Sequence, residues 1–210
     1  MIIHPQPQLE FHLLPMRALY WPSRQMVIIA DLHLGRAVPR MPKIVESVQQ
    51  TLHRVSEVLH HTHVNRLLFL GDVFHMRNTY HQELVGQFER WRATVAHVEM
   101  ILVRGNHERA MGDPPQHLQL QCVDPGYEES GVTFLHEPRH SSSFAMCAHL
   151  HPCLLVPTAR AFATAVPCFV WSQEYLYMPA FEDTIPGRVI SRRFDENYAC
   201  IHNQQVVAHP

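Results

Sequence analysis

Three apolar runs in the first half of this chain, MVIIA (26–30), RLLFL (66–70) and EMILV (99–103), each lead into a polar cluster. The first meets Asp31-x-His33, the second Gly71-Asp72-x-x-His75, and the third, after Arg104, Gly105-Asn106-His107-Glu108. Between the first two runs, Ile44, Val48, Leu52, Val55 and Leu59 recur every three or four residues, the apolar stripe of a helix. Leu84, Val85, Phe88, Trp91 and Val95 form a second stripe before the third run. Continuous apolar runs fit strands buried on both faces, so the pattern predicts β-α-β-α-β with a parallel sheet. The carboxyl ends of parallel strands lie on one edge, where ligand sites form. Clusters far apart in sequence thus become neighbours in space.

LEFHLLPM and ALYW predict further strands ahead of this unit. In the second half LQLQCVD, GVTFLHE, SFAMCAH, AVPCFVW and EYLYMPAF are short strand candidates separated by Gly, Pro and Ser. They are expected to pair as a second sheet, with a closing strand at 205–208. The class is therefore α/β, and 210 residues suit a single domain over 1–210. No apolar run approaches the ~18 residues of a membrane helix, and the N-terminus lacks the pattern of a secretory signal. Five cysteines without a C-x-x-C pair fit reduced thiols and a cytoplasmic location. A net charge of −2 excludes a strongly basic domain that wraps nucleic acid by bulk electrostatics, though not a local basic groove.

Histidine is the outlier of the composition, with 18 residues. Those at strand ends are the informative ones. In order, the polar clusters are Asp31-x-His33, Gly71-Asp72-x-x-His75, Gly105-Asn106-His107-Glu108, His136-Glu137 and His149-x-His151. Each alone is weak, since a lone Gly-Asp is usually a turn and a lone His-x-His usually structural. Together they supply what a two-metal site requires: a bridging carboxylate between ions roughly 3.5–4 Å apart, and mixed nitrogen and oxygen ligands on each side. Asp72, short and preceded by a glycine turn, is the natural bridge. Asp31 and His33 with one late histidine complete one set; Asn106 and His136 with the other late histidine complete the second. Such donors suit two divalent ions of the Mn²⁺, Fe²⁺ or Zn²⁺ kind.

This order of motifs resembles the calcineurin-like metallophosphoesterase superfamily over residues 26–152. A closer resemblance runs over about 180 residues to the PdeM family, the ligase-associated DNA-damage-response phosphoesterases of bacteria. LLPMRALYWP, MVIIADLHLGR, LFLGDVFHMRN, LVRGNHE, HLHP and LYMPAF carry it. The resemblance implies a four-layer α/β/β/α sandwich of two mixed β-sheets flanked by helices. It implies that Asp31, His33, Asp72 and His151 hold one metal, and Asp72, Asn106, His136 and His149 the other. His107 is then the catalytic histidine that stabilises the transition state or protonates the leaving oxygen, oriented by Glu108. The family further implies a manganese-dependent nuclease of DNA repair, acting on DNA beside a DNA ligase, an Lhr-type helicase and a β-lactamase-fold exonuclease.

The expected chemistry is hydrolysis of a phosphoester by water whose pKa the two cations lower. His75 is a candidate for fixing Asp72 or touching a substrate phosphate, against the plain alternative of a helix-start histidine. Arg36, Arg77, Arg104, Arg109 and Arg139 are candidate phosphate contacts, each with a plain surface alternative. The chain departs from the family in four places: Glu108 where Asp usually stands, Ala148 for Gly before His149, a short loop after Gly35, and no Gly-rich tail after Phe181. A second enzyme reading is a phosphodiesterase or phosphatase on a small nucleotide or phosphoprotein. A third is a non-catalytic scaffold, which the filled ligand positions and His107 disfavour. Salt separates the first two, since contact with several DNA phosphates weakens steeply with ionic strength.

Overall fold

The computed structural model describes residues 1–36, 44–75, 81–157 and 163–209. Arg77 and the short loop after Gly35 lie outside these residues, as does the side chain of Ile44. Among the described residues the first sheet contains seven strands in sequence order: β1 (Ile2–Gln6), β2 (Leu9–Leu14), β3 (Ala18–Trp21), β4 (Met26–Ile29), β5 (Arg66–Leu70), β6 (Glu99–Val103) and β7 (Gln121–Val123). The first four form an antiparallel meander, and β4 to β7 run parallel. Helices α1 (Ile44–Thr62) and α2 (His81–Thr94) supply the crossovers, and α3 (Asn106–Met111) follows β6.

Alternation explains why the central strands read as unbroken apolar runs. Val27, Ile29, Leu67, Phe69, Met100 and Leu102 pack with the stripes of α1 and α2. Met26, Ile28, Leu68, Leu70, Ile101 and Val103 point the other way, into a core shared with the second sheet. Each such side chain contributes about 1.5–3 kcal/mol by leaving water. Trp91 joins the helices to each other, its Nε1 donating to Ser56 Oγ at 2.8 Å. Trp21 lies in the inter-sheet core, edge-on to Phe11.

The second sheet contains β8 (Gly126–Glu129), β9 (Val132–Leu135), β10 (Phe144–Cys147), β11 (Pro152–Pro157), β12 (Ala163–Trp171), β13 (Tyr175–Tyr177), β14 (Arg188–Val189), β15 (Asn197–His202) and β16 (Gln205–His209). It is mixed: β10 runs parallel to β9 and β13, while β12 is antiparallel to β11, β13 and β15. Arg66, at the start of β5, clasps it with a two-pronged bond to Glu129 on β8, both at 2.9 Å. Tyr127 donates to the same carboxylate at 2.7 Å.

Two features differ from the sequence expectation. LQLQCVD provides β7 of the first sheet rather than a strand of the second. The stretch from Val103 to Gln121 is long enough for a parallel crossover, and Ile101 pairs with Gln121. Among the described residues no α-helix follows Met111, so the helical layer expected over the second sheet's outer face is not present there. That face has its own small apolar clusters, Leu154, Val166, Cys168, Val170, Tyr198 and Cys200 in one, Leu135, Ala145 and Cys147 in another.

Candidate metal centre

The loops after β4 and β5 continue side by side past the ends of their strands. Asp31 N–H donates to Gly71 O, His33 N–H to Asp72 O and Leu34 N–H to Val73 O, at 3.3, 2.9 and 2.8 Å. This parallel run brings Asp31 and His33 alongside Asp72. Asp31, His33, Asp72, His149 and His151 all adopt left-handed backbone, with φ between 44° and 64°. Asp and His tolerate that region better than most residues, and the reversal at each position turns the side chain toward the shared edge.

Two glycines permit the approach. A Cβ on Gly71, at φ +80°, would lie 2.1 Å from His136 Nδ1; one on Gly105 would lie 2.0 Å from Asp72 Oδ1. From the second sheet, His136 follows β9, and its Nδ1 lies 2.9 Å from Leu70 O. With the proton on Nδ1, that bond leaves Nε2 as a lone-pair donor directed at the centre. His149 and His151 follow β10, and His149 N–H donates to Asp31 Oδ2 at 3.2 Å. Both sheets thus contribute to one site.

Two sets of ligand atoms result. Asp31, His33 and His151 form one, and Asp72, His136 and His149 the other, each within 4.8 Å. Asp31 Oδ1, His33 Nε2 and His151 Nε2 are buried without any hydrogen-bond partner. Buried polar atoms in that state are costly, and a divalent cation is the partner their geometry fits. Asp72 Oδ2 lies 3.4 Å from His136 Nε2 and 3.7 Å from His33 Nε2, between the two sets, as a bridge requires. Asn106 Oδ1 is 3.2 Å from His136 Nε2 and joins the second set. All seven sequence-predicted ligands therefore converge.

The electrostatics of these side chains follow from this crowding. Burial pulls the His33 pKa down to about 4 against the pull of Asp31 and Asp72, so its imidazole is neutral and open to a cation near pH 7. Burial also acts to lower His136, but Asp72 and Asp31 outweigh it and push the pKa up to about 9. Burial works to raise Asp72, yet His136, the His107 N–H and His33 bring it down to about 2. A proton on His136 thus occupies the place of a cation beside Asp72.

His107 stands beside these ligands, Nε2 at 3.9 Å from Asp72 Oδ2, with its ring centroid 5.0 Å from that of His33. His75 lies next to both, 4.6 Å from His107 by ring centroids and with Nδ1 3.3 Å from His33 Nδ1. His33, His75 and His107 make a third group of convergent imidazoles at the rim.

Glu108 departs from its expected role of orienting His107. Its buried carboxylate accepts from the N–H groups of Asp72 and Gly105 through Oε2, each at 2.9 Å, and of Val73 and Phe74 through Oε1, at 2.9 and 3.4 Å. It welds the turn carrying Asp72 to the start of α3, which carries Asn106 and His107. That arrangement suits a positioning residue. Ala148 is fully buried in the inter-sheet core, so its methyl packs there.

The arginines divide. Arg36 follows the His33 turn, its N–H donating to His33 O at 3.1 Å. Arg104 is engaged with Asp113 through two bonds at 2.6 and 2.7 Å, and Arg109 with Asp124 and Glu137 at 2.9 and 3.1 Å. Those two arginines tie loops together. The sequence reading missed a brace behind Asp31 altogether. After β13 the chain crosses to the first sheet, where Phe181 N–H donates to Ala30 O at 2.8 Å and Glu182 N–H to Asp31 O at 3.4 Å. Thr51 Oγ1 holds the buried Glu182 carboxylate at 2.7 Å, and Arg54 donates to Phe181 O at 3.0 Å. No motif spacing signals this brace; it depends on a contact across 131 residues.

Comparison with known proteins agrees with this geometry. A family model described as calcineurin-like phosphoesterase matches residues 25–155. The crystal structure of Pseudomonas putida nuclease MPE is similar at 27% identity and a TM-score of 0.88, over 100% of this chain and 99% of that one. The structure of Yfce, a phosphoesterase from E. coli, matches at 14% identity and a TM-score of 0.43, over 87% of this chain and 96% of that one. No curated protein sequence matches the chain. Among the described residues, no helix is long and apolar enough to cross a membrane.

Proposed function

The chain belongs to the calcineurin-like phosphoesterase family, and on that premise we propose that it is a manganese-dependent nuclease hydrolysing phosphodiester bonds in DNA. The observation that carries this reading is Asp72, set between two ligand groups, one of them with three buried atoms lacking partners. Divalent cations held there supply Lewis acidity toward a phosphoryl oxygen and lower the pKa of water toward neutrality. Asp31, His33 and His151 would hold one, and Asn106, His136 and His149 the other, with Asp72 available to both. His107, at the rim beside Asp72, is placed to donate a proton to the leaving oxygen or stabilise charge on the phosphoryl group. His75 adds a second imidazole at that point.

A nuclease is supported by the full-length likeness to one, and the choice of DNA follows from the resemblance in sequence. The mixture of imidazole, carboxylate and amide donors suits Mn²⁺, Fe²⁺ or Zn²⁺, and manganese among them follows from the resemblance in sequence. A place in DNA repair, beside a ligase, an Lhr-type helicase and a β-lactamase-fold exonuclease, follows from the resemblance in sequence. The five free cysteines accord with a reducing, cytoplasmic setting. Metal analysis combined with assays on single-stranded, double-stranded and flapped DNA against bis(p-nitrophenyl) phosphate tests the reading. Manganese-dependent cleavage of DNA that Asp72→Asn abolishes is the expected result. Turnover of the small diester with no cleavage of any DNA refutes the nuclease assignment.

A further inference from the structure

The outer face of the second sheet has a surface that the metal centre does not use. On it the rings of Tyr175 and Tyr177 stack at 4.6 Å and 24°. Both are only partly buried. Tyr177 pairs with Cys147, the last residue of β10, and the chain reaches His149 two residues on. The tyrosine pair is therefore a stripe leading to the ligand end of the sheet. A second connection runs alongside: the chain leaving His136 carries Arg139 and His140, both exposed. With the tyrosines they line a groove of about 250 Å³. Among the described residues Arg139 makes no ion pair.

Beyond Tyr175 the groove gives way to a hollow of about 560 Å³, lined in part by Arg193 and Asp195. Between those two residues stands Phe194, 105% exposed. Phe194, in the loop before β15, has no packing role, and a sheet face with half-buried rings beside such an exposed ring is an arrangement on which unpaired bases stack. The platform is preorganised. The hydroxyls of Tyr175 and Tyr198 both donate to Glu196, the former at 2.5 Å. The nearby acids are largely engaged: Glu196 holds the two hydroxyls and Asp195 holds Arg193 at 3.2 Å, while Glu174 lines the groove together with Arg139.

We propose that this face is an exosite for the unpaired strand flanking the scissile phosphate, with bases stacked on Tyr175, Tyr177 and Phe194 and phosphates drawn to Arg139 and His140. The proposal rests on the nuclease reading above. Its test compares kcat/KM on single-stranded oligonucleotides of about 4, 8 and 16 nucleotides with that on bis(p-nitrophenyl) phosphate, with Mn²⁺ present. In the wild type the ratio of long to small substrate is expected to rise with length. In Arg139→Glu and Phe194→Ala, exposed positions where folding is not at risk, it falls by about tenfold, mostly through KM. Ratios equal to wild type in both variants overturn the exosite while leaving the nuclease reading intact. A wild type that turns over the small diester but no oligonucleotide overturns both. A face that instead joins two copies of the chain would show as a concentration-dependent mass lost in Phe194→Ala with the ratios unchanged, which also overturns the proposal.

Discussion

Replacing Glu108 by Gln removes one charge and reverses the polarity of half an acceptor, with little change in volume. In the native chain four backbone N–H groups, from Asp72, Val73, Phe74 and Gly105, converge on the carboxylate. An amide keeps one oxygen for two of them and turns an NH₂ group against the other two. A bond to a charged acceptor contributes about 1.5–3 kcal/mol, and a buried donor left alone costs about 1–3 kcal/mol. Allowing for relaxation and for the 3.4 Å length of the Phe74 bond, the expected loss is about 2–5 kcal/mol. For a chain of this size that corresponds to a fall in Tm of roughly 5–15 °C. Because Asp72 rides on the affected turn, Mn²⁺ affinity falls in the same variant. Calorimetric melts in chelator, then titration with Mn²⁺, measure both. A Gln variant with wild-type Tm and Mn²⁺ affinity but collapsed kcat would refute the positioning role and restore Glu108 as a partner of His107.

Other outcomes follow from the same geometry. Asp72→Asn is expected to lose bound metal and activity together by elemental analysis and assay, whereas His107→Ala keeps metal and loses about 10²–10⁴-fold in kcat. Gly105→Ala drives a methyl into Asp72, so it should abolish metal binding measured by titration while the far-ultraviolet spectrum stays native. Glu129→Gln, far from the centre, is expected to cost about 1–2 kcal/mol by denaturant melts without altering kcat, discounted for its partial exposure. The Arg66 bond, partly offset by burial, holds the Glu129 pKa below its usual value. Its contribution is thus present above the unfolded-state carboxylate pKa and lost as pH falls through the lower folded value. The stability gap between wild type and Glu129→Gln should therefore close on acidification; a gap that widens would contradict this.

The convergence of these residues was legible in the sequence because the candidate ligands follow the ends of apolar strands. The runs before Asp31, Asp72 and Asn106 are buried on both faces, and burial on both faces leaves a continuous apolar run that can be read locally. The stripes of α1 and α2 were legible too, and their described members meet the first sheet as expected. Less was legible where pairing depends on distant partners. LQLQCVD has the composition of either sheet, and only its contact with β6 assigns it. β14 has two residues, both exposed, and carries no alternation to detect. Glu108 and Glu182 act by accepting backbone or hydroxyl hydrogens from residues far along the chain, so neither spacing nor composition shows their roles.

Five of the ligand positions have left-handed backbone. For a residue other than glycine that conformation costs roughly 1–2 kcal/mol, somewhat less for Asp. An alanine scan of the centre therefore measures two quantities at once, the lost ligand and the worsened fit of Cβ to the backbone. Glycine separates them. In chelator, Asp31→Gly is expected to melt above Asp31→Ala, although neither can ligate there. The difference between them is the part of each alanine penalty that has nothing to do with metal.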